Sequence, residues 1–269
     1  MFEILLTAIA LVGTASAGWV DFKTSDIPDR IVASMIALAF VFHSAEFYLT
    51  GSAGNLQSAF FYFVIFGIFS FAMYFGKAWG GGDGALLTAV SVLLPGAPFG
   101  SSSFSFPLIY LFSVFFVGIF YSVFYMLWKI NSVAGVRKTF FLDFKGVSFI
   151  STTTFLSIIS FIIFVFTQNI FVLPFALGFA FPILEKLQKL SEKIFKKKIS
   201  TKNLRVDDML GQDLPALKIK RLLRGLTEKE VALIKKKMKF VVITDGVRFG
   251  PVFFFALVFS LIMQNYLFL

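Results

Sequence analysis

Cysteine is absent from the 269-residue chain, which excludes disulfides, thiolate nucleophiles and cysteine zinc sites. A single histidine, His43, leaves neither a His cluster for a metal nor the base of a Ser-His triad. Charge is scarce as well. Only 15% of residues are charged against 58% hydrophobic, with 40 Phe and a mean hydropathy of +0.85, a composition that excludes an ordinary water-soluble domain and indicates an integral membrane protein. Chemistry must then come from carboxylates, hydroxyls, lysine or backbone, and neither a metal nor another cofactor is expected. The formal charge of +10 raises the question of nucleic acid or an anionic surface as partner. Its location decides: residues 185–248 hold 18 of the 25 basic and 8 of the 15 acidic residues, so this one polar segment carries the whole excess. The lipid bilayer is the expected partner, and nucleic acid is not.

Apolar runs near the ~20-residue spanning length fall at 2–20, 31–50, 57–76, 106–128, 147–167 and 249–268. Two others are less regular. Residues 84–96 are short for a span and end at Pro95-Gly96, so this helix either extends into the loop that follows or is shielded by its neighbours. Residues 170–184 contain Pro174 and Pro182 and follow the polar turn Thr167-Gln168-Asn169. The first run passes Ala15-Ser16-Ala17, which looks like a signal-peptide cleavage site. It has no basic leader of its own and is long enough to span, so a retained first helix is expected.

Basic residues near the spans set orientation. Lys23 and Arg30, Lys77, Lys129, Arg137, Lys138 and Lys145, and the basic segment all face one side only if 147–184 is a hairpin of two crossings. The expected fold is therefore an all-α polytopic membrane protein of about eight transmembrane helices in the cell membrane, with both termini outside and a small cytoplasmic α or α+β insert before the last helix. Trp19, Trp79 and Trp128 fall at the proposed cytoplasmic boundary, where an aromatic belt belongs. Three parts follow: a membrane domain at 1–185, a basic insert at 186–247 and a final helix at 248–269. Within the insert, 186–202 is lysine-dense and reads either as a segment along anionic headgroups or as a solvated helix face. Leu222, Leu223, Leu226, Val231, Leu233 and Ile234 recur at roughly helical spacing, Thr227 and Glu230 form a capping-box pattern, and Phe240-Val-Val-Ile-Thr reads as a strand.

The acidic residues outside the insert are unevenly placed. Asp21, Asp26, Asp29 and Asp83 gather at the proposed cytoplasmic ends of spans, with Asp21 and Asp83 at one membrane depth. Carboxylates near hydrocarbon are costly and are functional candidates by default. Two that come close share a proton, so that one takes a proton from water while the other protonates a carbonyl, the chemistry of aspartic proteolysis. Gly80, Gly81, Gly82 and Gly84 surround Asp83. They are read as giving an extended substrate backbone access to Asp83 and as permitting positive φ where the loop enters the helix. The bland alternative is a tight interhelical turn with Asp83 as its N-cap. His43, with Ser44 and Glu46 nearby, reads as a hydrogen-bonded histidine rather than a catalytic one.

Asp21-Phe-Lys-Thr-Ser-Asp-Ile-Pro-Asp29 at the end of a first span, with Gly80-x-Gly82-Asp83 opening a later one, resembles the archaeal preflagellin and prepilin peptidases, the type IV prepilin peptidase group of GxGD membrane aspartic proteases. The resemblance continues in Leu226-Thr-Glu-Lys-Glu-Val-Ala-Leu-Ile-Lys235 and in Asp245-Gly-Val-Arg-Phe-Gly-Pro251 before the last helix. It implies that Asp21 and Asp83 are the catalytic pair and that the substrates are flagellin or pilin precursors carrying a short basic leader of the class III type. It also implies a six-helix core, to which the 147–184 hairpin would be an insertion. Absence of cysteine departs from the bacterial relatives, whose zinc-binding loop and methyltransferase activity do not carry over. Asp26 and Asp29 are candidates for attracting the basic leader, the simpler alternative being that they pair with Lys23 and Arg30. Two other classes stay open: a presenilin-like intramembrane protease, although Asp21 follows Val20 rather than a tyrosine and the chain's Pro215-Ala216-Leu217 falls in the polar insert and not at a span, and a transporter, which would carry ionisable groups at the midplane.

Overall fold

The computed structural model describes residues 2–76, 79–96, 98, 105–132, 156, 159–160, 163, 195–206, 208–217, 219, 225–244 and 246–263. The hairpin expected over 147–184 and the residues 186–194 lie outside the described residues, apart from positions 156, 159–160 and 163. The chain divides into two compact units, one formed by Met1–Ser122 with Arg248–Leu269 and the other by Val123–Val247.

The first unit is helical. Helices α1 (Phe2–Thr24), α2 (Asp29–Thr50), α3 (Gly54–Phe75) and α5 (Phe106–Ser132, of which the residues from Val123 onward are counted in the second unit) are each long enough to cross a bilayer, and all four meet the apolar requirement for doing so. Their outward residues, among them Ile4, Val12, Val41, Phe61, Ile68 and Phe71, are exposed and apolar, as a chain solvated by lipid requires. Two further apolar helices are shorter: α4 (Gly81–Leu93) and α7 (Gly250–Met263).

Helix α4 is the centre of the unit. At about 1.5 Å per residue its 13 residues reach only ~20 Å. It is shielded by α1, α2, α3 and α7, the second of the two outcomes its length allows. Leu86, Leu87, Ala89, Val90, Val92 and Leu93 are all fully buried, so the helix is apolar all round because no side of it meets solvent. Its far end is held by His43 on α2, whose Nε2 lies 3.1 Å from the Val92 carbonyl oxygen, one of the acceptors left open where a helix stops. His43 is buried, with Nδ1 3.6 Å from Glu46, and Asn55 donates to both Glu46 oxygens at 3.0 and 3.1 Å.

The second unit holds a three-stranded antiparallel sheet in the order β1-β3-β2, with β1 at Lys196–Ser200, β2 at Met209–Leu210 and β3 at Phe240–Thr244. Helix α6 (Glu228–Lys237) packs Val231 and Ile234 into a small core with Leu204, Leu210, Leu226 and Val241. The Thr227–Glu230 capping box forms, the Thr227 amide donating to Glu230 at 2.9 Å. Strand β3 also occupies the residues read as a strand. The described end of the lysine-dense segment differs from expectation: Lys196–Ser200 is a strand rather than a helix face, because β3 offers it a full register from Lys196 opposite Thr244 to Ser200 opposite Phe240.

Candidate active site

Asp21 lies in the last turns of α1, a carboxylate only 7% exposed. Its Oδ2 accepts a hydrogen bond of 2.7 Å from the backbone N–H of Gly250, the first residue of α7. A helix N-terminus presents amide donors and a positive dipole end, so the carboxylate sits where an anion is best received. The approach depends on missing side chains. A Cβ on Gly250 would stand 2.6 Å from the Asp21 Cβ and 2.9 Å from its Oδ2, and a Cβ on Gly18, one turn earlier, would stand 3.0 Å from the Pro251 Cα.

Asp83 is in the first turn of α4, half-buried, and its Oδ2 accepts from the Gly80 backbone N–H at 3.0 Å. This bond ties the carboxylate to the turn that precedes its own helix, with Gly80 as the N-cap and Asp83 three residues inside it, not at the N-cap position of the bland alternative. The surrounding glycines act differently from the expectation of positive φ. Gly80 is extended (φ −68°, ψ 157°), and Gly51 is the only glycine with positive φ among the described residues. What they permit is close packing. A Cβ on Gly82 would lie 2.8 Å from the Cβ of Ile27, a buried residue of the α1–α2 loop, and one on Gly84 would lie 2.6 Å from the Cβ of Ser70 on α3. Ser70 Oγ donates to the Gly84 carbonyl at 2.7 Å, which fastens the same contact. A Cβ on Gly80 would sit 3.2 Å from Asp83 Oδ2, whereas one on Gly81 would make only ordinary contact with Tyr74 at 3.8 Å.

Gly82 against Ile27 draws the start of α4 onto the loop that follows Asp21. Each of the two carboxylates on either side of this contact is held by a backbone N–H. Trp79, immediately before Gly80, is in contact with Phe69, Phe115, Phe249 and Phe253, at ring separations of 5.5 to 6.2 Å. It is therefore half-buried in an aromatic cluster, whereas Trp19 is well exposed, with Lys23 Nζ 4.4 Å above its ring.

Residues 8–126 match the type IV leader peptidase family. That segment carries both Asp21 and Asp83. No curated protein and no solved structure matches the chain.

Within the matched segment the remaining candidates separate. Asp26 and Asp29 are exposed, and among the described residues neither forms an ion pair with Lys23 or Arg30, so the simple pairing that competes with a role toward substrate is not observed. His43 is at the opposite end of α4 from Asp83 and has no part in the site. Among the described residues no group of three or more His, Asp or Glu side chains is arranged to hold a metal. Two contributors escaped the sequence reading. Ile27 carried no signal, since an apolar loop residue has many uses. Gly250 did have one, a Gly-Pro pair at the start of a span, but nothing local says which distant carboxylate its N–H meets.

Proposed function

We propose that the chain is a membrane aspartic endopeptidase that removes the short basic leader from precursors of archaeal flagellins or type IV pilin-like proteins, with Asp21 and Asp83 as its catalytic pair. The observation that carries this reading is the contact of Gly82 with Ile27, which sets the turn of Asp83 against the loop that follows Asp21, inside the segment that matches the leader peptidase family. In the proposed reaction the pair holds one proton between them. The ionised aspartate takes a proton from a water, the water oxygen bonds to the scissile carbonyl carbon, and the protonated aspartate gives its proton to the carbonyl oxygen. Collapse of the tetrahedral intermediate breaks the C–N bond. The leaving nitrogen takes a proton from the aspartate that had gained one, a hydroxyl of the intermediate gives its proton to the other aspartate as the carbonyl re-forms, and the pair regains its single shared proton.

The one-sided distribution of basic residues supports a site at the cytoplasmic boundary, with both termini outside and about eight spans, two of them from the 147–184 hairpin. A precursor whose apolar helix sits in the bilayer would present its leader junction at that depth. Exposed, unpaired Asp26 and Asp29 would then attract the basic leader. The test is leader release from a purified flagellin or pilin precursor by purified protein beside Asp83→Ala. Equal cleavage by both would refute the assignment, and so would the absence of cleavage by the wild type.

A further inference from the structure

We propose that residues 249–253, at the start of the final helix α7, are a positioning device for both aspartates at once, with Gly250 holding Asp21 and the Phe249 and Phe253 rings holding the loop of Asp83. The inference rests on the aspartic peptidase reading and adds to it residues outside the matched segment, which ends at 126.

Two like charges brought close repel, so each needs a fixed partner on its own side. For Asp83 one partner is local, the Gly80 N–H at 3.0 Å. For Asp21 the Gly250 N–H comes from 229 residues along the chain, and the 2.7 Å bond is buried. The same turn reaches the other side of the pair. Trp79 adjoins Gly80, and its ring centroid is 6.2 Å from that of Phe249 and 6.0 Å from that of Phe253. Phe249 and Phe253 also contact each other edge to face at 5.8 Å. Arg248 anchors the turn to α1, donating from Nη1 to the Phe22 carbonyl with its guanidinium 5.9 Å from the Phe22 ring. Any shift of this turn moves Asp21 through a hydrogen bond and the Gly80–Asp83 turn through an aromatic contact. The separation of the two carboxylates is thus set by α7 although neither belongs to it.

The test uses the full-length protein in lipid nanodiscs with a purified precursor as substrate, reading kcat, KM, the pH–rate profile and melting temperature. Gly250→Ala places a methyl against the Asp21 carboxylate. It is expected to lower kcat about 100-fold, the scale of a misplacement near 1 Å, with KM little changed and the pH profile altered. Trp79→Leu keeps an apolar side chain but loses the ring contacts, and should lower kcat by about 10-fold or more on the same argument. Leu257→Ala cuts buried packing two turns further along α7 and should lower the melting temperature while keeping kcat and the pH profile. Gly246→Ala, whose Cβ would meet nothing within 4 Å, should match the wild type.

Wild-type kcat in Gly250→Ala would overturn the inference. So would a loss in Leu257→Ala as large as that in Gly250→Ala, since loosening of the helix would then explain both. Should Gly250→Ala fail to fold, wild-type kcat in Trp79→Leu is the overturning result. Absence of cleavage by the wild type would remove the peptidase reading and this inference with it, whereas cleavage by the wild type and by Gly250→Ala alike would remove the inference alone.

Discussion

Gly82 and Ile27 meet so closely that a Cβ on the glycine would fall 2.8 Å from the Cβ of the isoleucine. The contact joins the first turn of α4 to the loop between α1 and α2, and so joins the two halves of the candidate pair. Gly82→Ala must push Ile27 aside or move Asp83 away from Asp21. Turnover should fall by at least about tenfold, and Ile27→Ala in the same chain should restore part of it, since residues in direct contact couple when changed together. Gly81→Ala, with 3.8 Å of clearance, should stay near wild type. A double-mutant cycle on kcat is the measurement. Failure of Ile27→Ala to rescue would return Gly82 to the role of clearing a path for substrate.

Asp21 and Asp83, acting as one unit, should behave non-additively. Asn at either position is expected to abolish cleavage, and the double change should do little further harm. Asp26→Asn and Asp29→Asn should keep most of the activity. A shared proton also requires the rate to fall on both sides of an optimum, as the pair becomes fully protonated in acid and fully ionised in alkali. A rate still climbing far into alkaline pH would point to another base.

His43 should matter for stability and not for chemistry. Leu in its place leaves the Val92 carbonyl without its buried donor, at a cost of roughly 1–3 kcal/mol, whereas Gln keeps an N–H able to reach it. Denaturation in detergent should rank wild type, His43→Gln and His43→Leu in that order. Activity per folded molecule should be equal in all three.

Orientation can be read directly because the chain has no cysteine of its own. Single cysteines at Ser52, in the α2–α3 loop, and at Lys229, on α6, are both exposed to solvent-borne reagent. In intact cells an impermeant maleimide should label Ser52→Cys and spare Lys229→Cys. The reverse pattern would invert the proposed topology.

What the sequence determined by itself were properties that depend on neighbours along the chain. Long apolar runs dictate membrane helices because lipid offers no partner for an open backbone. Asp21 and Asp83 stand out because charge at a span end is costly, and Thr227 with Glu230 closes a helix start from three residues apart. Tertiary structure decided what depends on facing. A glycine in a sequence shows only that a side chain is missing, and the fold turns Gly82 toward Ile27 and Gly250 toward Asp21. Which rings surround Trp79 was likewise decided by packing, with Phe69, Phe115, Phe249 and Phe253 arriving from segments remote from one another in sequence. Lys196–Ser200 became a strand because β3, some forty residues later, supplied the hydrogen bonds that a lone lysine-rich segment does not make for itself. Distances between segments remote in sequence are set by packing, and packing is a property of the whole fold and of no single stretch within it.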